Sequence, residues 1–91
     1  MAFKLIHEDG RELDLGNPFT LLKSWAELAH LIGDQDGEFP QLLFVPYTDE
    51  EPVPSEIWEK MREQAILAVE RYGDGLSVHT RWCLEQLAEE S

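Results

Sequence analysis

Gln41-Leu42-Leu43-Phe44-Val45, stopped by Pro46, carries four apolar residues in a row without alternation. Such a run predicts the best-buried strand of a small sheet, with the proline ending its ladder. Its partners lie at the start of the chain. Phe3-Lys4-Leu5-Ile6-His7 and Arg11-Glu12-Leu13-Asp14-Leu15 alternate around Glu8-Asp9-Gly10, where Asp-Gly supplies hairpin turn chemistry. Phe3, Leu5, Leu13 and Leu15 would share the covered face.

Three helices are expected to provide that cover. Asn17 is a good N-cap, Pro18 suits the first helical position, and Leu21, Trp25, Leu28 and Ile32, widened by Leu22 and Ala29, make an apolar stripe that ends at Gly33. Ser55 heads a second helix to Tyr72, with Trp58, Met61, Ala65 and Val69 on one side, and Gly73-Asp74-Gly75 breaks it. Ser77 can cap a last helix over 77–89, although Leu76 to Thr80 could instead be a short strand. Segments 34–40 and 48–54 read as loop and extended surface connection, rich in acids, glycine and proline.

The expectation is therefore an α+β domain spanning 1–91: a small three-stranded, mainly antiparallel sheet packed by three helices, in the order ββαβαα. Its core should include Leu5, Leu13, Leu21, Leu22, Trp25, Leu28, Phe44, Met61, Ala65, Val69, Leu84 and Leu87. At 91 residues there is room for one core, and 43% apolar content with three Trp and four Phe argues against disorder.

Nineteen acidic against seven basic residues give a net charge of −12, which disfavours direct nucleic-acid binding and anionic membrane surfaces. No apolar run approaches membrane-spanning length and the start lacks a signal-peptide core, so a cytoplasmic chain is expected. The charge is unevenly placed. Between Lys23 and Lys60 there is no Lys or Arg, while Glu27, Asp34, Asp36, Glu38, Asp49, Glu50, Glu51, Glu56 and Glu59 all fall there. Such a run can simply keep a small protein soluble. It can also form a docking surface for a basic protein partner, with Asp34, Asp36, Glu38, Asp49, Glu50 and Glu51 as its charges and Phe39, Tyr47 and Trp58 as apolar anchors.

Motifs for chemistry are weak. Asp34-x-Asp36-x-Glu38 opens like a calcium loop, but Phe39 and Val45 stand where glycine and a bidentate glutamate are required. His30 and Asp34 suit a helix-end ion pair. His79 and Cys83, four apart on one helical face, have the spacing of an imidazole-activated thiol and carry the alternative reading of a small thiol enzyme or redox sensor. Arg81 and Trp82 are residue types that anchor interfaces, although a Trp on so small a domain is more often a core residue, the first expectation for Trp82. One cysteine excludes an internal disulfide, and no motif for phosphate, cofactor, zinc or a serine nucleophile is present. The non-catalytic binding module is the main expectation, with no metal or cofactor; a homodimer in which a helix covers apolar surface is compatible with it. Size and acidity are similar to those of small nuclease inhibitors, toxin antidotes and phage or bacterial domains, a likeness of composition in which no motif singles out one family.

Overall fold

The computed structural model describes residues 2–48 and 51–89, and of 34–36 the backbone only. The hairpin forms as its alternation predicts. Strands β1 (Lys4–Ile6) and β2 (Glu12–Asp14) pair antiparallel with Leu5 opposite Leu13. Gly10 takes φ +98° in the turn, a conformation costly for any residue with a Cβ, and Asp9 accepts the Arg11 N–H at 2.9 Å to close it. Phe3, Leu5, Leu13 and Leu15 all point into the core.

Helix α1 (Pro18–Ile32) starts where Asn17 Oδ1 accepts the N–H groups of Phe19 and Thr20, and stops at Gly33 with φ +58°. The buried row is Leu21, Trp25, Leu28 and Ile32. Leu22 and Ala29, one step round the helix, stay exposed, so the covered face is narrower than the apolar stripe and Leu22 is not a core residue.

The expected third strand is absent among the described residues. Residues 41–45 instead form a short helix, α2 (Pro40–Leu43), running into a 3-10 turn at Val45–Tyr47. Pro40 occupies the first turn, where its missing N–H costs nothing. Leu42 N–H donates to Gln64 Oε1 at 2.9 Å, and Leu42 C=O accepts the Trp25 indole N–H at 2.7 Å. Partners on two helices thus satisfy the backbone groups that a ladder would otherwise have used. Leu42 and Val45, three apart, face inward, while Phe44 turns out and is 53% exposed rather than part of the core.

What lies along β1 instead is Val53, from the segment read as a surface connection. It makes a single parallel bridge at His7, donating its N–H to Ile6 C=O (2.7 Å) and accepting from Glu8 N–H (3.0 Å), and its side chain is buried.

Helices α3 (Ser55–Tyr72) and α4 (Val78–Glu89) pack on one another, α2 lies on α3, and α1 lies on α4. Trp58, Met61, Ala65 and Ala68 are the buried row of α3, with Val69 only half-buried beside it. Pro54 holds the N-cap position of α3, and the Ser55 side chain bonds elsewhere. At α4 the expected cap is present: Ser77 C=O accepts from Arg81 N–H at 3.0 Å, and Ser77 Oγ from Thr80 N–H at 3.4 Å. The described residues thus hold four α-helices and one two-stranded sheet, a mixed α+β arrangement with the hairpin covered on one face. Among the described residues no helix is long and apolar enough to cross a membrane.

Candidate functional site

A groove of about 420 Å³ opens between α2 and the first turns of α3. Its walls are Pro40, Gln41 and Phe44 on one side and Pro52, Pro54 and Ile57 on the other, over a floor that includes Val53 and Met61. The prolines follow from sequence: Pro40 starts α2, and Pro52 and Pro54 bracket the bridged Val53. Phe44 meets Tyr47 at 6.3 Å between ring centroids with planes at 53°, and Tyr47 is 66% exposed. On the far side of this aromatic ridge a second bay of about 240 Å³ is lined by Leu22, Ala26 and Ala29 of α1 with Leu43 and Tyr47. Apolar bays thus lie on both sides of the ridge, one against α1 and one against α3. Large aromatics left in water beside an apolar groove mark binding surfaces more often than isolated exposed residues do.

Acidic side chains from the 24–59 run divide into several settings. Glu51 is exposed on the groove wall, its N–H donating to Thr48 C=O at 2.9 Å. Glu56 and Glu59 are exposed on α3. Glu38 forms an ion pair with Arg71, whose guanidinium also lies 6.0 Å over the Phe39 ring. Glu27 is occupied at the start of α4, as described below. Asp49 and Glu50 lie outside the described residues, as do the side chains of Asp34 and Asp36.

Of the three aromatic anchors expected from sequence, only Tyr47 is at the surface. Phe39 is fully buried beneath Arg71 and Tyr72, and Trp58 is 4% exposed, packed edge-on to His7. Trp58 heads the buried row that Met61 and Ala65 continue along α3, and Phe39 enters the core ahead of α2. Phe44 takes their place in the site. The i, i+3 spacing of Leu42 and Val45 is the signal that could have revealed it, since a helical turn puts Phe44 opposite that pair.

Two nucleophile-bearing clusters have definite chemistry. Cys83 is fully buried, with Sγ 3.8 Å from His79 Nδ1, but that nitrogen is 2.9 Å from Ser24 Oγ. Burial pushes the thiol up to about 11, opposite in direction to an activated thiolate.

Sequence reading missed the second cluster, in a polar bay of about 400 Å³. There His7 Nε2 lies 3.4 Å from Ser55 Oγ, and His7 Nδ1 lies 3.0 Å from Asp9 Oδ1. The spacing resembles a serine–histidine–aspartate relay, yet the hydrogen bonds run otherwise. Ser55 donates its proton to Glu8 Oε1 at 2.6 Å, Asp9 N–H donates to Nδ1 at 3.1 Å, and the Asp9 carboxylate is held by the backbone N–H and Nε of Arg11. These Arg11 hydrogen bonds, the backbone one foremost, hold the Asp9 carboxyl below its ordinary value. With its hydroxyl proton already given to Glu8, Ser55 has none to pass to His7 Nε2 in this arrangement. The cluster ties the hairpin turn to the start of α3.

Among the described residues no three His, Cys, Asp or Glu side chains are grouped to hold a metal ion. No family model, curated protein or solved structure matches the chain.

Proposed function

We propose that this chain is a non-enzymatic protein-binding module, of the inhibitor, antitoxin or adaptor kind, that docks a basic protein partner on the groove beside Phe44 and Tyr47. The observation that carries this reading is the pairing of two exposed aromatic rings and an apolar groove with a 36-residue stretch devoid of Lys and Arg. Apolar anchors of this kind supply the slow dissociation of a complex, and an acidic rim supplies the fast approach of a basic partner. Ion pairing with Arg71 has already claimed Glu38, so the reading rests on Glu51 on the groove wall and on Asp49 and Glu50 beside it in sequence.

The test compares two neutralised triples in stopped-flow association with the basic protein that the chain retains from native lysate at low salt. Replacing Asp49, Glu50 and Glu51 by Asn, Gln and Gln should slow association and flatten its salt dependence while leaving the fold unchanged. Replacing Glu85, Glu89 and Glu90 by Gln alters the charge equally, away from the groove in sequence, and should do neither. Equal slowing by both triples reduces the effect to net charge, and no slowing by either overturns the docking surface.

A further inference from the structure

We infer that the groove takes an extended proline-rich segment, in the polyproline II conformation, carrying Arg or Lys at one end. This rests on the docking reading above and names the element of the partner that is recognised.

The walls exclude the other common modes of peptide capture. Strand addition needs a row of backbone donors and acceptors, but Pro40, Pro52 and Pro54 have no N–H, and both backbone groups of Val53 are engaged by Ile6 and Glu8. An amphipathic helix, about 10–12 Å across, needs a continuous trough for anchors on successive turns. Here the Phe44–Tyr47 ridge divides the apolar surface into bays of about 420 and 240 Å³. Two tilted rings separating two shallow apolar bays suit an extended chain that lays pyrrolidine rings on either side of an aromatic ridge.

Polyproline II leaves the ligand's carbonyls without internal partners, so the site must supply donors. Gln41 is placed for that role. Its Oε1 accepts from Gln64 Nε2 at 2.6 Å, which fixes the amide and leaves its NH₂ as the group a ligand carbonyl can meet. The Tyr47 hydroxyl on the ridge is a second donor. Charge complementarity sets the ligand's end: Glu51 stands exposed on the groove wall, and an Arg at the ligand terminus pairs with such a carboxylate in the bidentate manner.

The experiment titrates three synthetic peptides into the ¹⁵N-labelled full chain and follows its amide signals: a proline-rich peptide with an arginine pair at one end, the same peptide with glutamates for arginines, and an amphipathic helical peptide with the same arginine pair. The first peptide should shift the amides of Gln41, Phe44, Tyr47, Thr48, Glu51 and Ile57 saturably, and the second should not. Phe44→Ala with Tyr47→Ala should weaken the first about ten-fold or more, the loss expected for an anchor pair; signals of the hairpin and α4 report that the variant is folded. If the helical peptide occupies these amides and the proline-rich one does not, the inferred occupant is overturned and the docking reading stands. If neither basic peptide moves them, both fall.

Discussion

Glu27 offers a direct test of how the last helix is fastened. Its carboxylate, on α1, accepts the backbone N–H of Ser77 at 2.8 Å, the Ser77 hydroxyl at 2.9 Å and the Thr80 hydroxyl at 2.8 Å, so the N-terminus of α4 is capped by a side chain fifty residues away. Hydrogen bonds to a charged group contribute about 1.5–3 kcal/mol when shielded, and an anion at a helix N-terminus about 0.3–1 kcal/mol. Three bonds sharing one partly exposed carboxylate are not additive, and solvent screens the charge. Glu27→Ala should therefore cost about 2 kcal/mol, and Glu27→Gln, which keeps an acceptor oxygen, about 1 kcal/mol. In a domain of this size 1 kcal/mol moves Tm by about 4–8 °C, so thermal unfolding followed by circular dichroism resolves both.

The same contacts, the Thr80 hydroxyl first and then Ser77, hold the Glu27 carboxyl below its ordinary value of 4.5. A carboxyl with a depressed folded pKa stabilises fully above its unfolded value, and that stability is lost as pH falls through the folded pKa. The gap between the native chain and Glu27→Gln should thus be full at about pH 7 and close as pH drops below about 4.5. A Gln variant within about 0.3 kcal/mol of the native chain at neutral pH, or a gap indifferent to acid, would refute the trans-cap argument.

Trp25→Ala should lower stability by about 3–5 kcal/mol, most of what so small a domain possesses, and Trp25→Phe by less, through loss of the indole bond to Leu42 C=O; urea midpoints showing under about 1 kcal/mol for Ala would mean that Trp25 does not hold α2. Cys83 should resist a thiol reagent at mildly alkaline pH in the folded chain and react promptly in denaturant, because burial keeps the thiol protonated with its pKa raised to about 11; rapid native labelling would contradict that. At −12 the folded chain repels itself, so urea midpoints should rise between low and physiological ionic strength, and a flat response would show the carboxylates already compensated by local pairs.

Local chemistry alone specified the hairpin, the start of α1 at Asn17-Pro18 and its stop at Gly33, and the extent of α3. Each depends on turn residues, caps and periodicity that act within a few positions along the chain. The start of α4, open in the sequence between strand and helix, is instead fastened by Glu27 from α1. Residues 40–47 were different again. Four apolar residues suit a buried strand or a buried helical turn equally, and the choice was made by groups distant in sequence, the Gln64 amide and the Trp25 indole, which satisfy the Leu42 backbone as a helix. That choice turned Phe44 outward, and the one bridge the hairpin makes outside itself among the described residues goes to Val53. The candidate site was legible from sequence in its acidity, in Tyr47 and in Glu51, since charge and proline content survive folding unchanged. Its aromatic ridge and its groove exist only in the tertiary structure. Burial is a property of what packs against a residue: the Leu42 and Val45 spacing places Phe44 outward only once 40–47 is known to be helical, and that was decided by the Gln64 and Trp25 contacts.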